Sequence, residues 1–166
     1  PRAVIGLSRI EGLRRWKAGA GGAVRGAGAP LSDIENHRRI RRDYPGLVHA
    51  VAEISTPPLR NMGTLGGNVL LDTRCNYYDQ NLEWRQAIDF CMKKDGTVCW
   101  VAPGSPRCLA VQSADSVPIL IALAARAVFR SPEGEREAAL EELYRNDGIH
   151  YLTKKPEELL TELRLP

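Results

Sequence analysis

The cysteines are the feature that most constrains this chain, because they all fall between Arg74 and Cys108. Thiolates that ligate one metal centre must converge, so such a segment has to fold back on itself if it binds a metal. The start, Pro1–Leu7, lacks the long apolar region and the cleavage site of a secretory signal. We therefore expect a cytoplasmic protein, in which clustered cysteines bind metal or catalyse more often than they form disulfides. The four are Cys75, Cys91, Cys99 and Cys108.

The spacing of the cysteines does not by itself name a metal. They are separated by 16, 8 and 9 residues, which matches neither the Cys-x-x-Cys pairs of common zinc folds nor the close ferredoxin run. Five of the ten aromatic residues lie in the segment, and Arg74 and Arg107 each precede a cysteine. Cations lower thiolate pKa values and offset the charge of a cluster. An iron–sulfur cluster, a four-thiolate zinc site and four unrelated buried thiols all remain open.

Composition indicates one globular domain. Apolar residues make up 43% and charged residues 26% of the 166 residues, which is typical of a folded chain with a sizeable core. The net charge of +3 and the absence of a sustained basic stripe argue against nucleic-acid binding. No apolar run approaches the roughly 20 residues that a membrane-spanning helix needs, so no membrane association is expected.

A glycine-rich stretch lies just before the cysteines, at Gly63-Thr64-Leu65-Gly66-Gly67-Asn68. Glycines tolerate positive φ and leave backbone N–H groups unshielded, so we expect a turn, which is either purely structural or forms a concavity of N–H groups for an anion. Val69–Leu71 is predicted to continue as a strand. No helix is predicted after the glycines, and the stretch is neither a P-loop nor a dinucleotide fingerprint.

The remaining local structure is a mixture of strands and helices. A helix starts at Pro45 and is expected to end before Pro57-Pro58, and Asp115 is expected to cap an apolar helix over Ile119–Ala125. The glycine-rich Gly19–Gly28 includes Gly26-Ala27-Gly28, which either brings backbone close to a ligand or forms a strand followed by a tight turn. Strands are predicted at Ala3–Ile10, Ala23–Arg25, Ala127–Arg130 and Thr161–Leu165.

The order of these motifs resembles the FAD-binding domain of the molybdenum hydroxylase, or xanthine dehydrogenase, family. The resemblance covers essentially the whole chain and implies an α+β FAD-binding domain of the PCMH/xanthine dehydrogenase type, with helices packed on mixed sheets. Relative to that family, residues 1–166 lack the N-terminal phosphate loop and the C-terminal domain, so a fragment is expected. The resemblance to this family is found in five stretches: Gly26–Leu31, Tyr44–Leu47, Leu59–Asn68, Ser113–Pro118 and Glu158–Pro166.

The position of the cysteines within this pattern adds a finer resemblance. Residues 74–108 separate the Gly-Gly-Asn motif from Asp115, as in the flavin (beta) subunits of 4-hydroxybenzoyl-CoA reductases. The resemblance implies an insertion in which Cys75, Cys91, Cys99 and Cys108 ligate a 4Fe–4S cluster. It also implies that Thr64, Gly66, Gly67 and Asn68 contact the FAD pyrophosphate and ribityl chain, that Gly63 and Leu65 contribute backbone and packing, and that Asp115 hydrogen-bonds the cofactor.

The implied function is electron transfer without a catalytic residue in this chain. Electrons would pass between the 4Fe–4S cluster, FAD, a 2Fe–2S small subunit and a molybdopterin-binding large subunit. A ferredoxin-like protein is a possible electron donor. Leu159-Leu160 lies near where the family closes over the flavin, with no contact assigned. One alternative is a related hydroxylase with another substrate. The other is a zinc-stabilised four-cysteine interaction module.

Overall fold

The chain divides into two units, each assembled from separate stretches of sequence. A computed structural model describes residues 4–19 and 22–166. The first unit contains the chain up to Leu70, Ala114–Glu142 and Lys154–Pro166, and the second contains Leu71–Ser113 and Leu143–Thr153. In the described residues they contain short helices and one antiparallel sheet, so the α+β class is confirmed, whereas the predicted mixed sheets are wrong.

The sheet belongs to the first unit and has five strands in the order β1-β2-β5-β3-β4. Neighbouring strands are antiparallel, with Trp16 opposite Arg25 and Ala127 opposite Leu163 in two of the pairs. Gly134 adopts φ 131° at the tight turn between β3 and β4, a conformation that favours glycine. The strands are β1 Trp16–Gly19, β2 Gly22–Gly26, β3 Arg126–Ser131, β4 Gly134–Ala139 and β5 Leu159–Leu165.

The helices are short, and only α3 has eight residues among those that the structure describes. Two 3-10 helices, Glu11–Arg14 and Leu140–Leu143, accompany them. The α-helices are α1 Leu31–Asn36, α2 Arg38–Asp43, α3 Pro45–Ala52, α4 Pro57–Met62, α5 Leu65–Val69, α6 Leu82–Ala87 and α7 Ser116–Ala122.

Apolar side chains from the sheet and from α1, α2, α3, α5 and α7 form the core of the first unit. Burying each large side chain contributes about 1.5–3 kcal/mol, which offsets the low helix-forming tendency of such short segments. Arg60, also buried, donates to a Glu35 carboxylate oxygen at 2.9 Å and to the Ile54 carbonyl at 3.1 Å, which ties α4 to α1. Fully buried members include Ile34, Ile40, Leu47, Val51, Leu65, Val69, Leu120, Val128, Phe129 and Leu163.

Several predicted elements are confirmed, and others are wrong for identifiable reasons. The strands at Ala23–Arg25, Ala127–Arg130 and Thr161–Leu165 are present within β2, β3 and β5. Residues 4–10 form no strand, and Ala3, like Ala20 and Gly21 of the glycine-rich stretch, lies outside the described residues. Helix α3 ends at Ala52, before Pro57-Pro58 as expected, but these prolines also start α4, because proline suits the first helical positions, where no backbone N–H donor is needed.

The second unit consists largely of loops and turns. Within residues 71–113, all of which the structure describes, α6 is the one helix, and Asn81 caps it by accepting from Trp84 N at 2.9 Å. Arg74 and Val111 exchange backbone hydrogen bonds at 2.8 and 3.0 Å, which closes the base of the segment. Of the helices described in either unit, none has the length and apolar character required to traverse a lipid bilayer.

Candidate cofactor sites

A cavity of about 450 Å³ opens in the first unit beside α5. Its volume lies within the range of small-molecule sites in proteins. Apolar side chains dominate the lining, and Ser8, Arg14, Asn61 and Thr64 supply polar groups. The remaining lining residues are Leu7, Leu13, Ala27, Gly28, Pro30, Met62, Gly66, Gly67, Leu70, Leu159 and Leu160.

The glycine-rich stretch next to this cavity is a helix and not the predicted turn. Thr64 caps α5 by accepting from Gly67 N at 3.1 Å, and Val69 is the last residue of this helix and not part of a strand. None of the three glycines here has positive φ; the positive values among described glycines are at Gly22 and Gly134. The need for glycine is spatial: a Cβ on Gly66 would lie 2.7 Å from the Ala27 Cβ.

The backbone donors of α5 are used within the protein, which corrects the predicted anion concavity. Leu65 N donates to the Ala29 carbonyl at 3.0 Å, and Gly66 N donates to the Ala27 carbonyl at 2.8 Å. With Gly67 N bonded to the Thr64 hydroxyl, the three donors expected to face a ligand already have acceptors. Thus α5 brings its glycine surface close to the cavity, while its N–H groups anchor it to the segment before α1.

The predicted flavin-contact residues divide into those that line the cavity and those that do not. Thr64, Gly66 and Gly67 line the cavity. Gly63 and Leu65 do not: the Gly63 carbonyl accepts from Leu31 N at 2.9 Å, and Leu65 is buried in the core. The lining also includes Ala27 and Gly28, for which a close approach to a ligand was one of two interpretations, and Leu159 and Leu160, which the resemblance put near the flavin without a contact.

Asn68, which is part of α5, and Asp115, which directly precedes α7, are both outside the cavity lining. Asp115 is exposed and makes no side-chain capping hydrogen bond, so the predicted cap is wrong. The Asn68 Oδ1 instead accepts from Ser116 Oγ at 2.5 Å and from Ser116 N at 3.4 Å. Ser116 was not predicted as a site residue, because nothing in the local pattern shows that residues 48 positions apart are partners.

The cysteines of the second unit are free thiols, and Cys91, Cys99 and Cys108 are buried while Cys75 is half-buried. Tight turns begin at three of them. The Cys75 carbonyl accepts from Tyr78 N at 3.0 Å, that of Cys91 from Lys94 N at 2.9 Å, and that of Cys99 from Ala102 N at 3.0 Å. The Cys108 carbonyl accepts from Gly148 N at 2.9 Å.

Electrostatics link Cys108 to two other thiols. Burial raises the pKa of Cys108; Ala110 N–H opposes this, Cys99 and Cys75 raise the pKa further, and Lys93 lowers it. At Cys99 burial also acts to raise the pKa, but N–H groups of Leu109, Ala102 and Val101 together outweigh it and lower the pKa. Among the described residues, no three or more His, Cys, Asp or Glu side chains are arranged to hold a metal ion.

Comparison with protein families and curated proteins identifies relatives of the whole chain. Residues 1–166 match the family model for the "FAD binding domain in molybdopterin dehydrogenase". The chain is 32% identical over 177 aligned residues to the aldehyde oxidoreductase FAD-binding subunit PaoB of Escherichia coli (strain K12), with 98% of this chain and 52% of that protein covered. It is also 32% identical over 69 residues to the nicotinate dehydrogenase FAD-subunit of Eubacterium barkeri, which covers 42% of this chain and 23% of that protein.

Solved structures share the fold. The match to quinoline 2-oxidoreductase from Pseudomonas putida 86 has a TM-score of 0.64 at 15% identity and covers 96% of this chain and 42% of that one. The match to carbon monoxide dehydrogenase from Hydrogenophaga pseudoflava has a TM-score of 0.63 at 21% identity and covers 95% and 41%. The chain spans about half the length of PaoB, at 52%. With the family model matched from end to end, the chain belongs to the family of FAD-binding domains of molybdopterin dehydrogenases.

Proposed function

We propose that this chain binds FAD at the cavity beside α5 and acts as the flavin-carrying, electron-transfer part of a molybdenum-containing oxidoreductase. The observation that carries the proposal is the position of Thr64, Gly66 and Gly67, which belong to the matched family segment and line one cavity of about 450 Å³. FAD supplies the electron-transfer chemistry when bound, and the protein binds it, orients it and limits its contact with water. No residue of this chain is assigned a catalytic role.

The side chains near the cavity suit a ligand with both polar and apolar parts. Gly66 and Gly67 let a flat or extended group approach the backbone of α5, while Leu159 and Leu160 supply an apolar wall. Outside the lining, Asn68 of α5 offers amide N–H donors, and Asp115 offers carboxylate acceptors that no capping bond occupies. A carboxylate repels a pyrophosphate, so Asp115 is assigned to hydroxyl groups of the ribityl chain and Thr64 to the phosphate end.

A 4Fe–4S cluster ligated by Cys75, Cys91, Cys99 and Cys108 is the second part of the proposal. Support comes from the burial of three of these thiols, from the turns that begin at Cys75, Cys91 and Cys99, and from backbone N–H groups directed at Cys99. Buried thiolates with N–H donors are the environment that sets the potential of such clusters. The ligands of a cluster lie farther apart than those of a single metal ion. A cluster is therefore compatible with the lack, among the described residues, of side chains arranged to hold a metal ion.

The partners and substrate follow from this assignment and from the names of relatives. We place the chain in a complex with a 2Fe–2S small subunit and a molybdopterin-binding large subunit, in the cytoplasm, with a ferredoxin-like protein as electron donor. The 4-hydroxybenzoyl-CoA type of substrate rests on the sequence resemblance of the cysteine segment. Relatives named as aldehyde oxidoreductase and nicotinate dehydrogenase subunits define the alternative substrates. Purifying the complex and assaying these substrate classes decides between them.

Flavin binding is tested by titrating the flavin-free full-length protein with FAD. We expect Asn68→Ala to raise the Kd about tenfold, the equivalent of one or two lost hydrogen bonds. Gly67→Val should weaken binding further by placing a side chain in the cavity. Asn36→Ala, at an exposed asparagine of α1 whose amide donates to the Ser32 carbonyl, is the matched control and should leave the Kd unchanged. Wild-type protein that binds no FAD, or equal Kd values in all variants, would overturn the assignment.

The metal centre is tested by iron, sulfide and zinc analysis of protein purified without oxygen. We expect about four iron and four sulfide per chain and a broad visible band bleached by dithionite. Cys91→Ala should lose the iron and keep the FAD. Stoichiometric zinc without iron would instead support the four-cysteine interaction module.

A further inference from the structure

Asn68 is held by hydrogen bonds that reach it from the start of α7. Its Oδ1 accepts from Ser116 Oγ at 2.5 Å and from Ser116 N at 3.4 Å. Ser116 has no exposed surface, so its hydroxyl sits where water does not compete for the bond. The pair therefore joins α5 to α7 through side-chain chemistry that packing alone would not supply.

The two donors of Ser116 also determine which way the Asn68 amide points. A hydroxyl can donate or accept, so it would tolerate either end of an amide, whereas a backbone N–H can only donate. The N–H of Ser116 therefore requires the oxygen of Asn68 at this position, and the hydroxyl then donates to the same oxygen. The Asn68 Nδ2 group is left directed away from α7, and no described residue accepts from it.

We infer that Ser116 is a positioning residue for flavin binding: it fixes the Asn68 amide so that the Nδ2 donors are presented to the cofactor. The inference rests on the proposed function, because the flavin is what receives those donors. Without Ser116, the Asn68 amide rotates among several orientations. FAD binding must then fix one of them, and this entropic cost lowers the affinity for FAD. Asp115, one residue earlier in the sequence, has an exposed carboxylate that can accept from the hydroxyl groups of a polyol.

A double-mutant cycle on flavin affinity tests whether Ser116 acts through Asn68. FAD is titrated into the flavin-free full-length protein carrying Ser116→Ala, Asn68→Ala or both. We expect the serine change alone to raise the Kd about fivefold and the asparagine change about tenfold. In the double variant the serine change should add nothing, because its partner is already gone.

Controls separate positioning from loss of structure. Ser113→Ala removes a buried hydroxyl that has no hydrogen-bond partner among the described residues, and it should leave the Kd at the wild-type value. Ser116→Cys keeps a weak donor of similar size and should recover part of the affinity. The melting temperature of each flavin-free variant is measured alongside, since a purely structural role would lower it and affect FAD binding equally in both Asn68 backgrounds.

The possible outcomes distinguish the positioning role of Ser116 from the proposed binding of FAD. If the wild-type protein binds no FAD, the proposed function fails. If Asn68→Ala weakens binding while Ser116→Ala does not, or if the two effects multiply in the double variant, the positioning role of Ser116 is overturned and the flavin site stands. If Ser116→Ala does not fold, the same cycle is run with Ser116→Cys, and multiplicative effects again overturn the inference.

Discussion

The flavin-site helix α5 and the cysteine segment, residues 71–113, are both built from short elements, but they are stabilised differently. In α5, Leu65 and Val69 are buried and two backbone N–H groups donate to the carbonyls of Ala27 and Ala29. In the cysteine segment, α6 buries none of its residues. There, side chains such as Lys93 and Arg107 reach across to backbone carbonyls.

This difference separates a site formed by the hydrophobic core from one formed by polar contacts. Packing of buried side chains in the first unit supports the walls of the cavity beside α5. A loop region that depends on polar contacts has a smaller reserve of stability, and a metal centre bound there adds its binding free energy to the folding of the segment. We therefore expect loss of a buried polar contact to lower the stability of the second unit most, and disturbed core packing to lower the stability of the first unit most.

Lys93→Met should have the largest effect, and it should be confined to the second unit. The Lys93 ammonium, whose side chain is only 8% exposed, donates to Asp72 at 3.0 Å, to the Thr73 hydroxyl at 2.8 Å and to the Gly148 carbonyl at 3.0 Å. Its loss should lower local stability by about 3 kcal/mol. Hydrogen exchange of amides in residues 71–113 should then accelerate by roughly 100-fold.

Lys94→Met is the matched control for that experiment, because the Lys94 side chain is 58% exposed and its contact with Asp95, at 3.9 Å, is long. It should change exchange rates little. Equal effects of the two lysine changes would show that the second unit does not depend on buried polar contacts. The proposed difference in stabilisation between the second unit and α5 would then be wrong.

Gly66→Ala should have the next largest effect, and it should fall on the first unit. The new Cβ would lie 2.7 Å from the Ala27 Cβ and 2.8 Å from the Ala27 carbonyl oxygen, so α5 must shift away from that backbone. We expect a loss of about 2 kcal/mol in the free energy of unfolding measured in urea. Gly12→Ala, where nothing lies within 4 Å of the added atom, should be close to neutral.

Glu158→Gln tests whether the first unit also contains an important polar contact. Glu158 accepts from Arg136 at 2.7 and 2.9 Å, and its side chain is 6% exposed. The Arg136 hydrogen bond lowers the Glu158 pKa from 4.5 to about 2. We expect the variant to lose about 1 kcal/mol at pH 7 in urea unfolding.

The pH dependence of that variant has a definite sign. Because the pKa of Glu158 is lower in the folded state, its contribution to stability is fully present above about pH 4.5 and is lost as the pH falls through about 2. The difference between wild type and Glu158→Gln should therefore shrink between pH 4.5 and pH 2. A difference that stays constant over this range would mean that the carboxylate charge contributes nothing.

Asp115→Asn should have the smallest effect on stability. The carboxylate caps no backbone N–H, so the free energy of unfolding should change by less than about 0.5 kcal/mol. FAD affinity should fall in the same protein, since an amide replaces one acceptor. A loss of about 1 kcal/mol in stability would instead indicate a capping role.

Sequence patterns predicted the parts of the fold that depend on local signals. The β3 strand follows from the apolar run at Ala127–Phe129, and Pro45 marks the start of α3. Thr64, Gly66 and Gly67 were predicted as site residues from the family resemblance and line the cavity. Their role toward FAD and the role of the four cysteines toward a cluster remain predictions.

The errors arise where distant residues decide local structure. Glycine disfavours helix, so Leu65–Val69 was predicted as a turn and strand, but the Thr64 cap and the Ala27 and Ala29 carbonyls stabilise a helix there. Asp115 has the sequence position of a cap, yet Asn68 takes that role from elsewhere in the chain. No local pattern could show this, because it depends on the packing of α5 against α7.

The Asn68–Ser116 bond has a further consequence for how such a chain can change over evolutionary time. It joins two points of the first unit that flank the whole of residues 71–113 in sequence. Once the two stems are fixed to each other, the entropy of closing the intervening loop grows only logarithmically, by about 0.6 kcal/mol for each doubling of its length. A lineage can therefore acquire or discard a long segment at this point while the neighbouring pocket keeps its geometry.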